Sequence, residues 1–306
     1  MRDTFISTLM QIVEEDPDVL LLTGDLGFGV FDNFRKRFPN QFLNVGVAEQ
    51  NMSMVAAGLA LKGKKVFTYS IGNFPTLRCL EQIRNDICYH DLNVTIVSIG
   101  GGFSYGALGM SHHATEDLSI MRSLPNIKCV VPSTLQETAD ATKKLYEIKG
   151  PSYLRLDKSS ATYAQEEKFN IGKALVARQG NDITLIASGG VLEEALKAAE
   201  QLEHSSISCR VLSMHTVKPI DKDAIADASI QTKGIITIEE NNILGGLGGA
   251  VAEVCMDKDL HPTIFKRIGL LDEYSSIVGD QYFLRKHYGL DHLSIESQVK
   301  DLMADK

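Results

Sequence analysis

The segment Asn44–Met52, NVGVAEQNM, places one carboxylate near the start of an otherwise apolar helix. Glu49 follows a glycine turn and precedes a stretch rich in Ala and Met. Two interpretations fit this position. The acid is either favoured by the positive end of the helix dipole, or it lies against apolar surface, where desolvation tunes its proton affinity for chemistry. The pattern alone favours the first interpretation.

A glycine-rich stretch, residues 100–117, follows an apolar strand, the position at which open α/β sheets bind ligands. Its five glycines allow the backbone to approach a ligand closely. His112 and His113 are adjacent, so they cannot share one helix face, and at most one of them points inward. This spacing excludes a paired metal site on a helix. A surface loop with solvated histidines is the alternative.

Two other glycine motifs do not meet the requirements of nucleotide binding. Residues 246–251 read GLGGAV, with valine where the dinucleotide fingerprint needs Gly or Ala, and no acid follows at the ribose-binding distance. We interpret this motif as a structural turn and reject nicotinamide binding. GDLGFG at 24–29 lacks the Gly-Lys-Ser/Thr ending of a phosphate loop.

Composition restricts the class of protein that carries these motifs. The 306 residues include 31 basic and 39 acidic side chains, a net charge of −8, which disfavours nucleic acid and anionic membranes as partners. We find neither an apolar run long enough to cross a bilayer nor a signal peptide, so we expect a cytoplasmic protein. The five cysteines are far apart and never form a CxxC pair, which indicates reduced thiols rather than disulfides or a zinc site.

The elements that position the motifs alternate between strand and helix, which predicts α/β architecture with two parallel-sheet domains. The predicted strands are Val19–Leu22, Phe42–Val45, Lys65–Tyr69, Val94–Ile99, Ile127–Val131, Ile183–Ala187, Ser208–Leu212, Gly234–Ile238 and Thr263–Ile268. The predicted helices are Asp3–Glu15, Val47–Leu61, Leu80–Tyr89, Ser133–Ile148, Leu192–Leu202 and Ala250–Met256. Ser133-x-x-Gln136 predicts a capping box. The polar stretch Asp157–Asn170 indicates a linker, and we place the domains at 1–160 and 175–306 with 161–174 between them.

Taken together, six segments resemble the transketolase superfamily, including 1-deoxyxylulose-5-phosphate synthase, in order over almost the whole chain. GDLGFG resembles an early Asp-containing turn, and NVGVAEQNMSMVAAGLA the segment that holds the coenzyme-activating glutamate. SHHATEDLSIMRSLPNIKCVVPST resembles the substrate loop, and GPSYLRLDKSS the end of the pyrimidine-binding domain. VKPID and EENNILGGLGGAVAEV resemble the C-terminal domain. The resemblance implies that 1–160 is a pyrimidine-binding domain and 175–306 a transketolase C-terminal domain.

The resemblance implies thiamine diphosphate as cofactor and gives individual residues a role. Glu49 matches the glutamate that hydrogen-bonds N1′ of the aminopyrimidine, and Phe74 matches the aromatic residue that stacks on that ring. Asp25 and Val47 match lesser positions of the same pocket. His112 matches the histidine that contacts the donor sugar near its reacting carbon. The coenzyme performs the carbanion chemistry, while the protein orients it and moves protons.

Three positions depart from the family pattern. The second substrate-loop histidine falls on Gly100, and the aspartate that reads a sugar hydroxyl falls on Leu108. The arginine that grips the sugar phosphate falls on Lys158, which keeps the charge and loses the bidentate fork. The resemblance still implies two-carbon ketol transfer between sugars, but these departures leave the identity of the sugar undetermined. A sugar phosphate, a modified sugar or a nucleotide-linked sugar would fit.

The family binds the diphosphate and its Mg²⁺ through a GDG…N motif that this sequence lacks, and the sequence begins where the family's pyrimidine domain begins. We therefore expect the C-terminal subunit of a split transketolase, with no metal ligands on this chain. An N-terminal subunit would carry the metal and diphosphate, and self-dimerisation would give a two-plus-two heterotetramer. The alternatives are decarboxylating condensation, as in deoxyxylulose-phosphate synthase or a 2-oxo-acid dehydrogenase β subunit, and a non-enzymatic paralogue. The presence of Glu49 and Phe74 disfavours the last.

Overall fold

The computed structural model describes residues 1–27 and 29–304, in which strands and helices alternate and build two sheets. The strands are β1 (Val19–Thr23), β2 (Phe42–Asn44), β3 (Lys65–Ile71), β4 (Val94–Ile99), β5 (Lys128–Val130), β6 (Ser152–Leu156), β7 (Leu175–Arg178), β8 (Ile183–Ala187), β9 (Cys209–Ser213), β10 (Thr216–Lys218), β11 (Gly234–Asn242) and β12 (Ile264–Leu270). The α-helices are α1 (Arg2–Glu15), α2 (Asp32–Arg37), α3 (Glu49–Leu61), α4 (Leu80–Gln82), α5 (Asp117–Ser123), α6 (Leu135–Glu147), α7 (Leu192–Glu203), α8 (Lys222–Gln231), α9 (Leu247–Asp257), α10 (Gln281–His287) and α11 (His292–Ala304).

Both sheets are largely parallel, which confirms the α/β class. The seven-stranded sheet has the order β10-β5-β6-β4-β3-β1-β2, and the five-stranded sheet has the order β12-β11-β8-β9-β7. Each sheet also contains one antiparallel edge strand, β10 beside β5 and β7 beside β9, which the sequence had not indicated. An edge strand needs only one neighbour, and an antiparallel edge on a parallel sheet is common. Strand β10 comes from the second half of the chain, between β9 and β11 of the five-stranded sheet, but it pairs with β5 of the seven-stranded sheet. The second half of the chain therefore contributes a strand to the first sheet.

The central strands of both sheets are buried, because helices cover both faces of each sheet. All six residues of β4 and all five of β8 are buried, as their near-continuous apolar sequences predict for parallel strands. The carboxyl ends of β1, β2, β3 and β4 meet at one edge of the first sheet, since these strands run in the same direction. The loops that leave this edge carry the residues singled out by the sequence.

Helix α6 begins one residue later than the predicted capping box requires. Its N-cap is Thr134, whose side chain accepts a hydrogen bond from the backbone N–H of Glu137 at 3.0 Å. The Glu137 carboxylate in turn accepts from the backbone N–H of Ser133 at 2.7 Å. The predicted partner Gln136 is exposed and donates to Asp140 instead. The Ser133–Gln136 pair was therefore wrong, because burial of Glu137 selects the neighbouring register.

The segment 157–174 contains neither helix nor strand, as predicted for a connection. It is nevertheless packed against the protein. Asp157, Ala161 and Phe169 are buried, and the Phe169 ring stacks on His215 with 4.0 Å between ring centroids. The expectation that this stretch has little to bury was therefore wrong, because Ala161 and Phe169 pack into hydrophobic cores. Its role as a linker between domains stays a prediction. The domain boundaries at 160 and 175 stay a prediction.

Several elements follow the sequence less directly. The predicted helix over 80–89 consists of the short α4 followed by a π-helical turn, Ile83–Cys88. The sequence pattern did not indicate β6, β7, β10, α2, α5, α8, α10 or α11. These elements are short or weakly periodic, and packing against neighbours determines them. In the described part of the chain, no helix is both long and apolar enough to cross a membrane.

Candidate functional site

Glu49 is the first residue of α3, and its side chain is only 3% exposed. Its Oε2 accepts a hydrogen bond from Arg78 at 3.1 Å, and its Oε1 lies 3.5 Å from the hydroxyl of Ser70 on β3. Gly24 leaves the room for this arrangement, since a Cβ there would lie 3.1 Å from Cγ of Glu49. Both carboxylate oxygens are therefore oriented by side chains from neighbouring elements.

A hydrogen-bonded turn at the ends of β1 and β2 fixes the entry to α3. The Asn44 side chain accepts from the backbone N–H groups of Asp25 and Gly46, both at 3.0 Å, and donates to the Asp25 carboxylate at 2.9 Å. Gly46 has φ +75°, which favours glycine. Asp25 thus ties two strand ends together beside Glu49's helix. Val47, next in the chain, has 77% of its surface exposed.

Phe74 lies in the turn after β3, half-buried, with its ring between two polar groups. The Arg78 guanidinium stands 4.3 Å from the Phe74 ring centroid, and the His112 ring packs edge-on at 5.2 Å. Arg78 therefore contacts both Glu49 and Phe74. The structure brings together three residues that the sequence predicted, together with Arg78, which it missed. Residues 74–76 form a turn that leads into a short 3₁₀ helix, Leu77–Cys79, so no helical spacing in the sequence indicates Arg78.

The two adjacent histidines have different surroundings, as expected. His112 is half-buried, and its Nδ1 lies 3.0 Å from the Ser111 hydroxyl. His113 is 3% exposed, and its Nε2 lies 3.1 Å from the carbonyl oxygen of Gly106. The His113 ring packs edge-on against Phe103, with 5.1 Å between centroids. His113 thus holds the loop together, and His112 contacts the ring of Phe74.

Lys158 lines a cleft of about 380 Å³ together with Arg2, Asp3, Tyr105 and Asp157. Its Nζ stands 4.0 Å from the Tyr105 ring centroid. The side chain is exposed, as is much of Arg2, so both cations face the solvent-filled cleft. The cleft opens beside Ile99, the last residue of β4. The glycine-rich loop that contains His112 starts at this end of the strand.

Burial sets the protonation state of groups beside the site. Burial, with a smaller contribution from the nearby Glu49 charge, raises the pKa of the Cys79 thiol to about 11. The Glu116 pKa is likewise raised by burial. At neutral pH Cys79 is therefore a protonated thiol that packs against the site and is a poor nucleophile. Within residues 1–27 and 29–304, no group of three His, Cys, Asp or Glu side chains could hold a metal ion.

Comparisons with known proteins agree over both halves of the chain. The family model of the transketolase pyrimidine-binding domain matches residues 1–162, and that of the transketolase C-terminal domain matches residues 172–295. An apulose-4-phosphate transketolase subunit from Phocaeicola vulgatus is 36% identical over 95% of this chain and 93% of its own. 1-Deoxy-D-xylulose-5-phosphate synthase from Desulforudis audaxviator is 34% identical over 94% of this chain and 46% of its own. A solved split gene transketolase, described as an inactive β4 tetramer, superposes with TM-score 0.89 at 34% identity, covering 99% of this chain and 98% of the other.

Proposed function

Because this chain belongs to the transketolase family and comprises its pyrimidine-binding and C-terminal domains, we propose that it is one subunit of a split, thiamine-diphosphate-dependent enzyme that transfers a two-carbon ketol unit between sugars. The observation that carries the proposal is the buried carboxylate of Glu49, held by side chains beside the half-buried ring of Phe74. A buried acid and an aromatic face together suit a flat, nitrogen-containing ring.

The residues present fit the aminopyrimidine end of thiamine diphosphate. When bound, this coenzyme supplies a thiazolium centre that stabilises a carbanion. Glu49 would hold a proton against a ring nitrogen, and Phe74 would pack on the ring face. Val47 is exposed two residues before the same helix and would add apolar contact. Asp25 would act through the turn that it shares with Asn44.

We propose that His112 and Lys158 bind the sugar. His112 contacts Phe74 on one side and is only half-buried, so its imidazole is available to a sugar hydroxyl or carbonyl. Lys158 shares its cleft with Arg2, whose guanidinium is already paired with Asp3 at 2.9 Å. The exposed ammonium of Lys158 is therefore the cation that would bind an anionic substituent such as a phosphate. The expected substrate is therefore a sugar with an acidic group remote from the reacting carbon.

A second subunit is part of the proposal. The Phocaeicola vulgatus relative is itself named as a transketolase subunit, and the solved relative is an inactive tetramer of β chains. By analogy, the present chain would associate with itself, and an N-terminal transketolase subunit would supply the Mg²⁺ and diphosphate site. A two-plus-two heterotetramer is the closed assembly that satisfies both contacts. We propose 1–160 as the pyrimidine-binding domain, 161–174 as the connection and 175–306 as the C-terminal domain.

Decarboxylating condensation is the second candidate, because a deoxyxylulose-phosphate synthase is 34% identical to this chain. The chain spans about half of that synthase, so its reaction transfers to this protein only as a proposal. The same alternative includes the β chain of a 2-oxo-acid dehydrogenase. The two candidates differ in their donor, since pyruvate with release of CO₂ supports decarboxylation and a ketose donor without CO₂ supports ketol transfer.

The test is calorimetric titration of thiamine diphosphate with Mg²⁺, first into this chain alone and then into its complex with the N-terminal subunit. Stacking on Phe74 and one hydrogen bond from Glu49 contribute roughly 1–3 kcal/mol, which gives millimolar affinity at best for the lone chain. We expect micromolar binding and ketol transfer only in the complex. Micromolar binding or turnover by the lone chain would contradict the split-subunit proposal.

A further inference from the structure

The loop of residues 100–116, here called the His112 loop, is held by contacts that come from the C-terminal half of the chain. The backbone N–H of Phe103 donates to Oε1 of Glu240 at 2.5 Å. Glu240 is a residue of β11 in the second sheet and is 2% exposed. The site described above thus borders a carboxylate from the other sheet, which has no role in the proposed chemistry.

The loop backbone passes directly against this carboxylate. Gly102 has φ +59°, and a Cβ built on it would collide with Oε1 of Glu240. Any larger residue would therefore displace either the loop or the carboxylate. The contact between the loop and Glu240 therefore depends on the close approach of the Gly102 backbone.

Helix α10 holds Glu240 in place. Arg285 donates to the Glu240 carboxylate from Nε, and its guanidinium also donates to the Ser159 hydroxyl at 2.9 Å. Gln281, one turn earlier, donates to Glu240 and to Asp157, both at 2.9 Å. Buried charges are costly unless they are paired, and an apolar cluster of this volume would stabilise the fold as well. The network is therefore better explained by a need to hold the Glu240 carboxylate in one position than by its contribution to stability.

The connection from Glu240 to His112 is short. Gly102 and Ala114 exchange backbone hydrogen bonds of 2.8 and 2.9 Å, which closes the His112 loop next to Phe103. Ala114 lies two residues after His112. A shift of the Phe103 backbone would pass through this bridge to the imidazole of His112.

We propose that Glu240 is a positioning residue, whose carboxylate fixes the backbone of the His112 loop and thereby the place of His112 relative to Phe74. This inference rests on the proposed function for the role of His112. Through Glu240, the C-terminal half of the chain would help to form the site, in addition to any part that it has in contacts between subunits.

The first measurement is hydrogen exchange of the full chain without a partner. Glu240→Gln keeps the shape of the side chain and removes the charge that pairs with Arg285. We expect exchange in residues 100–116 to rise at least tenfold, roughly the loss of one charged hydrogen bond. Glu253→Gln is the control, because it removes another ion pair between the two halves, with Arg122 on α5, and this pair makes no contact with the backbone of residues 100–116 among the hydrogen bonds of the described residues. Unchanged exchange in Glu240→Gln, or an equal rise in Glu253→Gln, would overturn the proposal.

The second measurement uses the complex with the N-terminal subunit. We expect Glu240→Gln to lower kcat about 10- to 100-fold at saturating coenzyme, the scale of a misplaced catalytic group, with coenzyme affinity unchanged. In a His112→Ala background the same substitution should lose most of this effect, because residues that act through one another are not additive. Full additivity would refute positioning through His112.

A milder variant keeps the test decisive if Glu240→Gln fails to fold. Gln281→Met removes the amide that joins Glu240 to Asp157 and keeps a similar length, so it should raise exchange in the loop in the same direction. If the wild-type complex shows no ketol transfer, the proposed function fails, and the exchange experiment still decides whether Glu240 positions the loop.

Discussion

Two buried glutamates lie beside helix starts in this molecule, and they differ in what their oxygens contact. Glu239, on β11, accepts hydrogen bonds from the backbone N–H groups of Leu247 and Gly248 at 2.7 and 2.8 Å, so it caps α9. Glu49 opens α3, but its carboxylate contacts the side chains of Arg78 and Ser70. Burial is the same for both, at 1% and 3% exposed. The partners, not the burial, separate a structural carboxylate from one that could act on a ligand.

The difference has a physical basis. Backbone amides are fixed donors, so a carboxylate that satisfies a helix start cannot leave it without exposing those amides. The guanidinium of Arg78 is on a long side chain with 47% of its surface exposed, and it can move aside. Glu49 can therefore exchange its partner for a ligand at little cost, and Glu239 cannot.

The largest expected effect is on turnover. Glu49→Gln should lower kcat by about 10²–10⁴ in the complex with the N-terminal subunit, because it removes a positioned acid–base group. The fold should stay intact, as judged by thermal unfolding. Steady-state rates at saturating coenzyme give the measurement. Glu239→Gln is the contrasting variant and should keep most of its turnover per folded molecule. Wild-type rates in Glu49→Gln would break the comparison.

The second effect is on stability and concerns Glu239. Burial raises its pKa from 4.5 to about 7, although the two amides favour the charged form. The folded state therefore holds a proton between pH 4.5 and 7 that the unfolded state has released. Stability from this group is complete below pH 4.5 and is lost as the pH rises through 7, about 3 kcal/mol in all.

Denaturant unfolding of wild type and Glu239→Gln from pH 4.5 to 7.5 measures this effect. We expect the free energy of unfolding of the wild type to fall with pH relative to the variant, since glutamine does not titrate. Parallel pH profiles for the two proteins would show that Glu239 does not carry a raised pKa.

The sequence predicted much of this molecule, but it did not identify the partners of the two glutamates. It placed Glu49 at the start of a predicted helix and Glu239 directly after a predicted strand, and the local pattern favoured a dipole role for Glu49. Periodicity determines helix and strand because burial on one or two faces leaves a trace in the sequence. The partners of a carboxylate come from distant segments, so Arg78 and Glu240 left no such trace.

The family resemblance proposed roles for Glu49, Phe74 and His112 that the pattern did not indicate, and in the structure the rings of Phe74 and His112 are in contact. It supplied nothing on the direction of edge strands. The short runs that form β7 and β10 have no feature that distinguishes parallel from antiparallel pairing. Their orientation follows from the lengths of the connections and from which sheet edge is free.

The adjacent histidines extend the comparison to a third effect. His112→Ala should lower kcat/KM about 10- to 100-fold, the loss of one strong hydrogen bond to substrate. His113→Ala should instead lower the free energy of unfolding, because the His113 ring packs against Phe103 and its Nε2 is hydrogen-bonded to the carbonyl oxygen of Gly106. Kinetics and denaturant unfolding of both variants separate the two roles. Equal losses of kcat/KM with equal stability would contradict this assignment.

The smallest expected effect concerns a helix start that neither glutamate occupies. Thr134 caps α6 through its hydroxyl, which accepts from the N–H of Glu137. Thr134→Ala should lower the free energy of unfolding by about 1 kcal/mol, the usual cost of a lost N-cap. Thr134→Ser keeps the hydroxyl and should cost much less. Gln136→Ala, at the exposed position that the sequence pattern selected, should change little. If Gln136→Ala cost as much as Thr134→Ala, the cap would belong to Ser133, and side-chain pattern would identify helix starts better than burial does.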